Sequence, residues 1–112
     1  MSFLTHPDTP FPVGVEYFRA PVPEPSVWDA DFARIRAAGL RVVRSFTFWN
    51  WMEPEPGVFQ LDDFDRLFDL AEKHGLHVWL DIPLATHGAC PEWLTREHPH
   101  VAVVDHHGQP VS

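Results

Sequence analysis

Two helix-like stretches of the chain each end at a glycine, Gly39 and Gly75, and an apolar run follows each glycine at once. The runs at 40–45 and 76–83 are rich in aliphatic side chains, and a shorter alternating run at 13–18 precedes them. Glycine ends helices because it adopts the left-handed conformation without steric cost. Strands joined through a helix pair in parallel, with right-handed crossovers. The sequence therefore predicts a β-α-β-α-β unit.

The predicted helices at 26–38 and 62–74 each combine an N-terminal cap with an apolar face. Ser26 and Asp62 are the predicted N-caps, and Asp29 completes a capping box with Ser26. Apolar side chains recur at helical spacing in both stretches. They are Trp28, Phe32 and Ile35 in the first helix and Phe64, Leu67, Phe68 and Ala71 in the second.

Three parallel strands do not form a closed sheet, and long open edges invite pairing with other chains. A (β/α)8 barrel removes those edges but needs about 250 residues. We therefore expect an α/β chain that forms the N-terminal β-α-β-α-β portion of an incomplete (β/α)8 TIM barrel. In this interpretation residues 1–112 are a single partial domain. It consists of a lead-in at 1–11, the βαβαβ unit at 12–83, and a segment at 84–112. That last segment is a loop followed by a short helix, which begins near Pro91.

Charge and cysteine content narrow the functional classes. The formal net charge of −8 disfavours a nucleic-acid partner and an anionic membrane surface. No apolar run approaches the roughly 20 residues of a membrane span. Residues 1–8 lack the pattern of a signal peptide, and the single Cys90 excludes an intrachain disulfide. These features predict a soluble, cytoplasmic protein without nucleic-acid or membrane partners.

Candidate functional residues lie where the predicted strands end, because parallel α/β sheets carry their chemistry at the carboxyl ends of the strands. These candidates are Glu16 after the first strand, Arg44, Trp49 and Asn50 after the second, and Asp81 after the third. Indole rings can stack on the apolar face of a sugar while polar neighbours bind its hydroxyls. In the alternative interpretation the large aromatics pack between barrel and helices, as we expect for Trp28 and Trp79. A small extra strand is predicted at 101–104, and turn residues follow at 105–110.

The order and spacing of several short segments resemble the start of glycoside hydrolase family 42, from about residue 13 to the end of the chain. The segments are Gly14-Val15-Glu16-Tyr17-Phe18, Arg36-Ala37-Ala38-Gly39-Leu40-Arg41-Val42-Val43-Arg44, Trp49, Glu53-Pro54-Glu55-Pro56-Gly57, Pro83-Leu84-Ala85-Thr86, Pro91-Glu92-Trp93-Leu94 and Val104-Asp105. The resemblance implies the (β/α)8 catalytic barrel of a β-galactosidase, which acts by retaining double displacement. It also implies a β-galactoside or related oligosaccharide as substrate, and it is compatible with a homo-oligomer.

The same resemblance places the acid/base glutamate after strand four and the nucleophilic glutamate after strand seven, both beyond Ser112. No catalytic carboxylate is therefore expected within this chain, which alone should be inactive. Arg44 would orient the nucleophilic glutamate and keep it ionised, since a guanidinium lowers the pKa of a nearby carboxylate. Glu53 and Glu55 belong to a proline-stiffened turn and are not expected to form the catalytic pair.

Several alternatives stay open at this point. The loop between Arg44 and Glu53 is one residue shorter than the common family form, and 86–91 is longer, so the accepted sugar or linkage could differ. Another retaining enzyme of the same clan, such as a β-glucanase, would fit. So would a non-catalytic carbohydrate-binding remnant or a truncated gene product that does not fold alone. His87 and Cys90, with later histidines, lack the paired spacing of zinc sites, so neither metal nor cofactor is predicted.

Overall fold

The computed structural model describes residues 12–17, 22–83 and 88–111. Its strands are β1 (Gly14–Glu16), β2 (Val42–Phe46) and β3 (His77–Asp81), and its helices are α1 (Trp28–Ala37), α2 (Trp49–Met52), α3 (Asp62–His74) and α4 (Glu92–Glu97). Short 3₁₀ turns occupy Pro25–Val27 and Pro99–Val101. The predicted lead-in, together with Phe18, Thr86 and His87, lies outside the described residues. Two compact units are present: Met1–Ser45 with Asp63–Leu80, and Phe46–Asp62 with Asp81–Ser112.

The strands form one sheet in the order β1-β2-β3. β1 and β2 are parallel, with Gly14 beside Val42 and Glu16 beside Arg44. The backbone N–H of His77 donates to the carbonyl of Arg41 at 2.8 Å, which continues the parallel pattern into β3. The predicted β-α-β-α-β order is therefore confirmed. Gly39 and Gly75 have positive φ angles, 86° and 65°, and end the helices as the sequence predicts.

The core of the first unit lies on one face of the sheet. Val43 of β2 is fully buried, whereas the neighbouring Arg44 is exposed. Successive side chains of a strand point to opposite faces, so Val43 and Arg44 lie on different sides of the sheet. The buried side, which carries Val43, is the one that α1 and α3 cover. Phe32 of α1 is also fully buried and meets the ring of Tyr17 edge to face, with centroids 5.2 Å apart. On the opposite face, which is uncovered in the described residues of the first unit, Arg44 and Trp79 are exposed.

Two core predictions are wrong in their details. Trp79 was expected in the core, but 61% of its surface is exposed, because it lies on the uncovered face of edge strand β3. Phe68 was expected in the apolar stripe of α3, yet it is 45% exposed at one edge of that stripe. The remaining members of the stripe are buried, namely Phe64, Leu67 and Ala71.

The predicted capping box at the start of α1 is also wrong. Ser26 lies in the 3₁₀ turn that Pro25 begins, and its hydroxyl donates to Oε2 of Glu24 at 3.4 Å. The α-helix starts only at Trp28, and no side-chain bond caps it. Asp29 instead accepts bonds from α3. Its carboxylate lies 2.7 Å from Nζ of Lys73 and 2.6 Å from Nε2 of His74.

The contact between Asp29 and α3 makes the stability of the first unit depend on pH. Hydrogen bonds from Lys73, which has the larger effect, and from His74 hold the pKa of the Asp29 carboxyl below its ordinary value of 3.8. A lowered carboxyl pKa stabilises the fold above the ordinary pKa, and the stabilisation is lost as the pH falls through the lowered value. We expect Asp29→Asn to be less stable than wild type at pH 7, with the difference shrinking below about pH 4. Urea denaturation at several pH values measures this.

Asp69→Asn is the matched control, because Asp69 is an exposed carboxylate in the middle of α3. Its effect should be small at every pH. A difference between Asp29→Asn and wild type that stays constant down to pH 3 would show that Asp29 acts through its shape and not through its charge.

In the second unit, a helical turn forms within the loop predicted between Arg44 and Glu53. α2 is a single turn, and the backbone N–H of Glu53 closes it on the carbonyl of Trp49 at 2.8 Å. The predicted strand at 101–104 is wrong, because only a single bridge joins Val104 to Pro110. The predicted turn is confirmed. Oδ1 of Asp105 accepts bonds from the N–H groups of His107 and Gln109, which close the turn locally.

Candidate functional site

In the first unit, two predicted site residues and one further side chain form a row across the uncovered face of the sheet. Glu16 and Arg44 are register partners, and Nη1 of Arg44 lies 3.4 Å from Oε2 of Glu16. The bond from His77 to Arg41 places His77 beside Val42, and therefore Trp79 beside Arg44. The row thus combines a carboxylate, a guanidinium and an indole.

A groove lies along this row. Its lining includes Gly14, Glu16, Val42, Arg44, His77 and Trp79. About half of each side chain in the ion pair is exposed, 47% for Arg44 and 51% for Glu16, so their contact contributes little to stability. A guanidinium has five N–H donors, which allows it to bind more than one carboxylate or hydroxyl. Gly14 is required here, because a Cβ at this position would come within 2.6 Å of the carbonyl oxygen of Val42.

Trp79 is the residue of this row that the sequence reasoning missed. A signal for it was present in the alternation of the strand, since Trp79 and Asp81 are two residues apart and share a face. Asp81 is a predicted site residue, so the shared face indicates the same side for Trp79, although the aliphatic neighbours Val78 and Leu80 favour a core position.

In the second unit, Trp49 is held by polar and aromatic contacts. Its Nε1 donates to Oε2 of Glu53 at 2.7 Å, and its ring meets Trp93 edge to face with centroids 5.8 Å apart. Nε1 of Trp93 donates to the backbone carbonyl of Glu53 at 2.9 Å. Because the indole N–H of Trp49 is already bonded, this residue can offer a ligand only the face of its ring.

The Glu53 carboxylate has a structural role in this arrangement. Its Oε1 accepts the backbone N–H of Gly57 at 2.8 Å, while Oε2 accepts the bond from Trp49. Both bonds lower the pKa of the Glu53 carboxyl, and the bond from Trp49 has the larger effect. Oε1 therefore braces the Pro-Gly turn, while Oε2 holds the indole of Trp49. This agrees with the interpretation of the segment as a stiff connection.

The remaining candidates, Asn50 and Asp81, also lie in the second unit. Asn50 donates from its backbone N–H to Ala89 and from its side-chain Nδ2 to Gly88, each at 2.8 Å. The backbone carbonyl of Asp81 accepts bonds from the N–H and the hydroxyl of Thr47, at 2.9 Å and 3.1 Å. Asn50 thus binds protein backbone. The role of the Asp81 carboxylate at the site stays a prediction.

The described residues contain no cluster of three or more histidine, cysteine or acidic side chains that could hold a metal ion. Every helix in the described ranges falls short of the length and hydropathy of a membrane span. The polar side chains that line the groove are the carboxylate of Glu16, the guanidinium of Arg44, the imidazole of His77 and the indole of Trp79.

A parallel sheet with helices on one face and polar side chains across the other is the arrangement found in a segment of an α/β barrel. The chain belongs to glycoside hydrolase family 42: the sequence profile of that family, described as beta-galactosidase, matches residues 16–112. The resemblance inferred from the short segments is therefore confirmed.

Known proteins of similar sequence and structure are named as glycosidases. Beta-galactosidase Bga of Halorubrum lacusprofundi is 36% identical over 97 residues, which cover 86% of this chain and 13% of that protein. An exo-beta-D-glucosaminidase of Pyrococcus horikoshii is 29% identical over 105 residues, covering 78% of this chain and 12% of that protein. The crystal structure of a beta-galactosidase from Marinomonas ef1 superimposes with a TM-score of 0.76 at 31% identity, covering 91% of this chain and 15% of that one. The chain therefore spans less than one sixth of the length of these relatives.

Proposed function

We propose that the full-length protein that carries this chain is a β-galactosidase, which hydrolyses terminal β-D-galactosyl bonds by retaining double displacement. The observation that carries the proposal is the family match over residues 16–112, together with the relatives named beta-galactosidase. In this proposal the present chain supplies the first strands of the catalytic barrel and part of the wall of its pocket. Both catalytic glutamates come from later strands.

The row of Glu16, Arg44 and Trp79 supports this proposal chemically. A galactose ring has an apolar C–H face that an indole can cover, and its hydroxyls bind carboxylates and guanidinium groups. Arg44 would also contact the nucleophilic glutamate and keep it ionised, because a fixed cation stabilises the carboxylate form. Trp49, Asn50 and Asp81 remain proposed members of the pocket wall or of its support.

Hydrolysis of nitrophenyl β-D-galactoside tests the proposal directly. We expect the purified full-length protein to release nitrophenol and the 112-residue chain alone to release none, because a retaining glycosidase needs two carboxyl groups about 5–5.5 Å apart. Nuclear magnetic resonance of the first-formed sugar should show the β anomer. Inactivity of the full-length protein on every glycoside tested, or turnover by the short chain, would contradict the proposal.

A second candidate is a related retaining glycosidase that acts on another sugar. The relative from Pyrococcus horikoshii favours it, since that protein is named an exo-beta-D-glucosaminidase. A panel of nitrophenyl β-galactoside, β-glucoside, β-glucosaminide and β-mannoside distinguishes the two candidates through their kcat/KM values. A β-glucanase, a cytoplasmic location and homo-oligomeric assembly remain predictions from the sequence and the resemblance.

A further inference from the structure

Asn50 joins two segments of the second unit that are far apart in the sequence. Its backbone N–H donates to the carbonyl of Ala89, and its side-chain Nδ2 donates to the carbonyl of Gly88, each at 2.8 Å. Two successive carbonyls are thus held by one residue. Ala89 is fully buried and so is Pro91, which lies two residues further on.

The side-chain amide has one workable orientation. Gly88 offers a carbonyl oxygen, so the group that faces it must be a donor, and a reversed amide would set two acceptors against each other. In the part of the chain that the structure describes, Oδ1 of Asn50 is buried and has no hydrogen-bond partner. Burying an acceptor without a partner costs free energy. The bond from Nδ2 to Gly88 and the backbone bond to Ala89 offset that cost.

The same two segments meet again around the indoles. Trp93, in the helix that follows Pro91, bonds the carbonyl of Glu53 and packs its ring against Trp49. The contacts of Trp93 fix α4, while those of Asn50 fix the backbone immediately before it. Together they define the course of residues 88–93 relative to α2.

We propose that Asn50 is a positioning residue: it holds the Gly88–Ala89 backbone through its amide donor and does not itself bind the sugar. The expected effect on turnover rests on the proposed function, whereas the effect on the backbone does not. In a (β/α)8 barrel the segments that follow the strands build the active site, and residues 88–91 follow β3. A shift of about 1 Å in such a segment can lower the rate of an enzyme by about two orders of magnitude.

The single cysteine of this chain provides a readout that does not depend on activity. Cys90 directly follows Ala89 and is half-buried. Its alkylation by iodoacetamide, followed by mass spectrometry of the peptide that contains Cys90, reports how often this backbone opens. In the full-length protein, we expect Asn50→Ala to label several-fold faster than wild type and to lose about tenfold in kcat/KM. Thr95→Ala is the matched control, because it removes a side-chain bond to the Glu92 carbonyl on the exposed surface of the same unit.

A second variant tests whether the donor is what matters. Asn50→Asp sets a carboxylate against the Gly88 carbonyl at neutral pH, whereas the protonated form can donate as the amide does. We expect the kcat/KM of Asn50→Asp, relative to wild type, to rise as the pH falls, and the labelling of Cys90, corrected for thiolate content, to slow. A residue that merely fills space would give no such pH dependence.

The outcomes separate this inference from the proposed function. Wild-type labelling of Cys90 in Asn50→Ala would overturn the positioning role, and so would faster labelling with unchanged kcat/KM. Loss of activity on galactosides but not on the corresponding 2-deoxy or 6-deoxy sugars would show a direct sugar contact and would also overturn it. If the wild-type enzyme hydrolyses no glycoside, the proposed function fails, while the labelling experiment still decides how Asn50 acts on the backbone.

Discussion

Under the proposed β-galactosidase activity, replacing Arg44 with alanine in the full-length protein is expected to lower kcat/KM for nitrophenyl β-galactoside by roughly 10²- to 10³-fold. Losses of this size follow the removal of a preorganised donor from a reacting centre. Arg44 lies on the uncovered face of the sheet, in register with Glu16 and beside Trp79. Arg44→Lys should recover only part of the loss, because an ammonium keeps the charge but loses the planar fork that binds carboxylates in a bidentate manner.

The pH profile of Arg44→Ala tests the reason for that loss. If Arg44 keeps the nucleophilic glutamate ionised, its removal raises the pKa of that glutamate. The acid limb of the kcat/KM profile should then move to higher pH. Arg34→Ala is the control, since Arg34 is a helix arginine with 78% of its side chain exposed and an ion pair to Asp31 at 3.0 Å. An equal loss in both variants, or an unchanged acid limb, would count against the proposed role.

Local patterns explain why the order of elements could be predicted from the sequence. The glycine stops and the apolar spacing act over a few residues, and both are visible without knowledge of the fold. α2 could not be predicted because two of its four residues are tryptophans, which are weaker helix formers, and no side-chain bond caps it. Contacts from distant residues hold it instead, such as the bond from the Gln60 N–H to the Met52 carbonyl and the bond from Asn50 to Ala89.

The candidate site shows the same division between local and distant information. Strand ends identified Glu16 and Arg44, and the parallel register brings them together because both lie on one face. The partner of the Asn50 side chain is 38 residues away, and no spacing rule predicts such a pair. The bond from Trp49 to Glu53 spans four residues. It could have been predicted once a helical turn was recognised there.

Phe32→Ala should produce the largest loss of stability, about 3–5 kcal/mol in the free energy of unfolding. Phe32 is fully buried, with its ring centroid 5.2 Å from Tyr17, which follows β1, and 6.5 Å from His74 of α3. Truncation leaves a cavity that close-packed neighbours cannot fill. Since small domains are stable by only about 5–15 kcal/mol, the variant should unfold at a much lower urea concentration, as circular dichroism would show.

Phe68→Ala is the matched control, because it removes the same side chain from a position that is 45% exposed. We expect a loss of at most about 1 kcal/mol there, since surface substitutions rarely cost more. The helical spacing of α3 assigned Phe68 to the core, whereas the structure places it at the edge of the buried stripe. Comparable losses for the two variants would therefore favour the sequence pattern over the structure and would mean that another part of the protein covers that edge of α3.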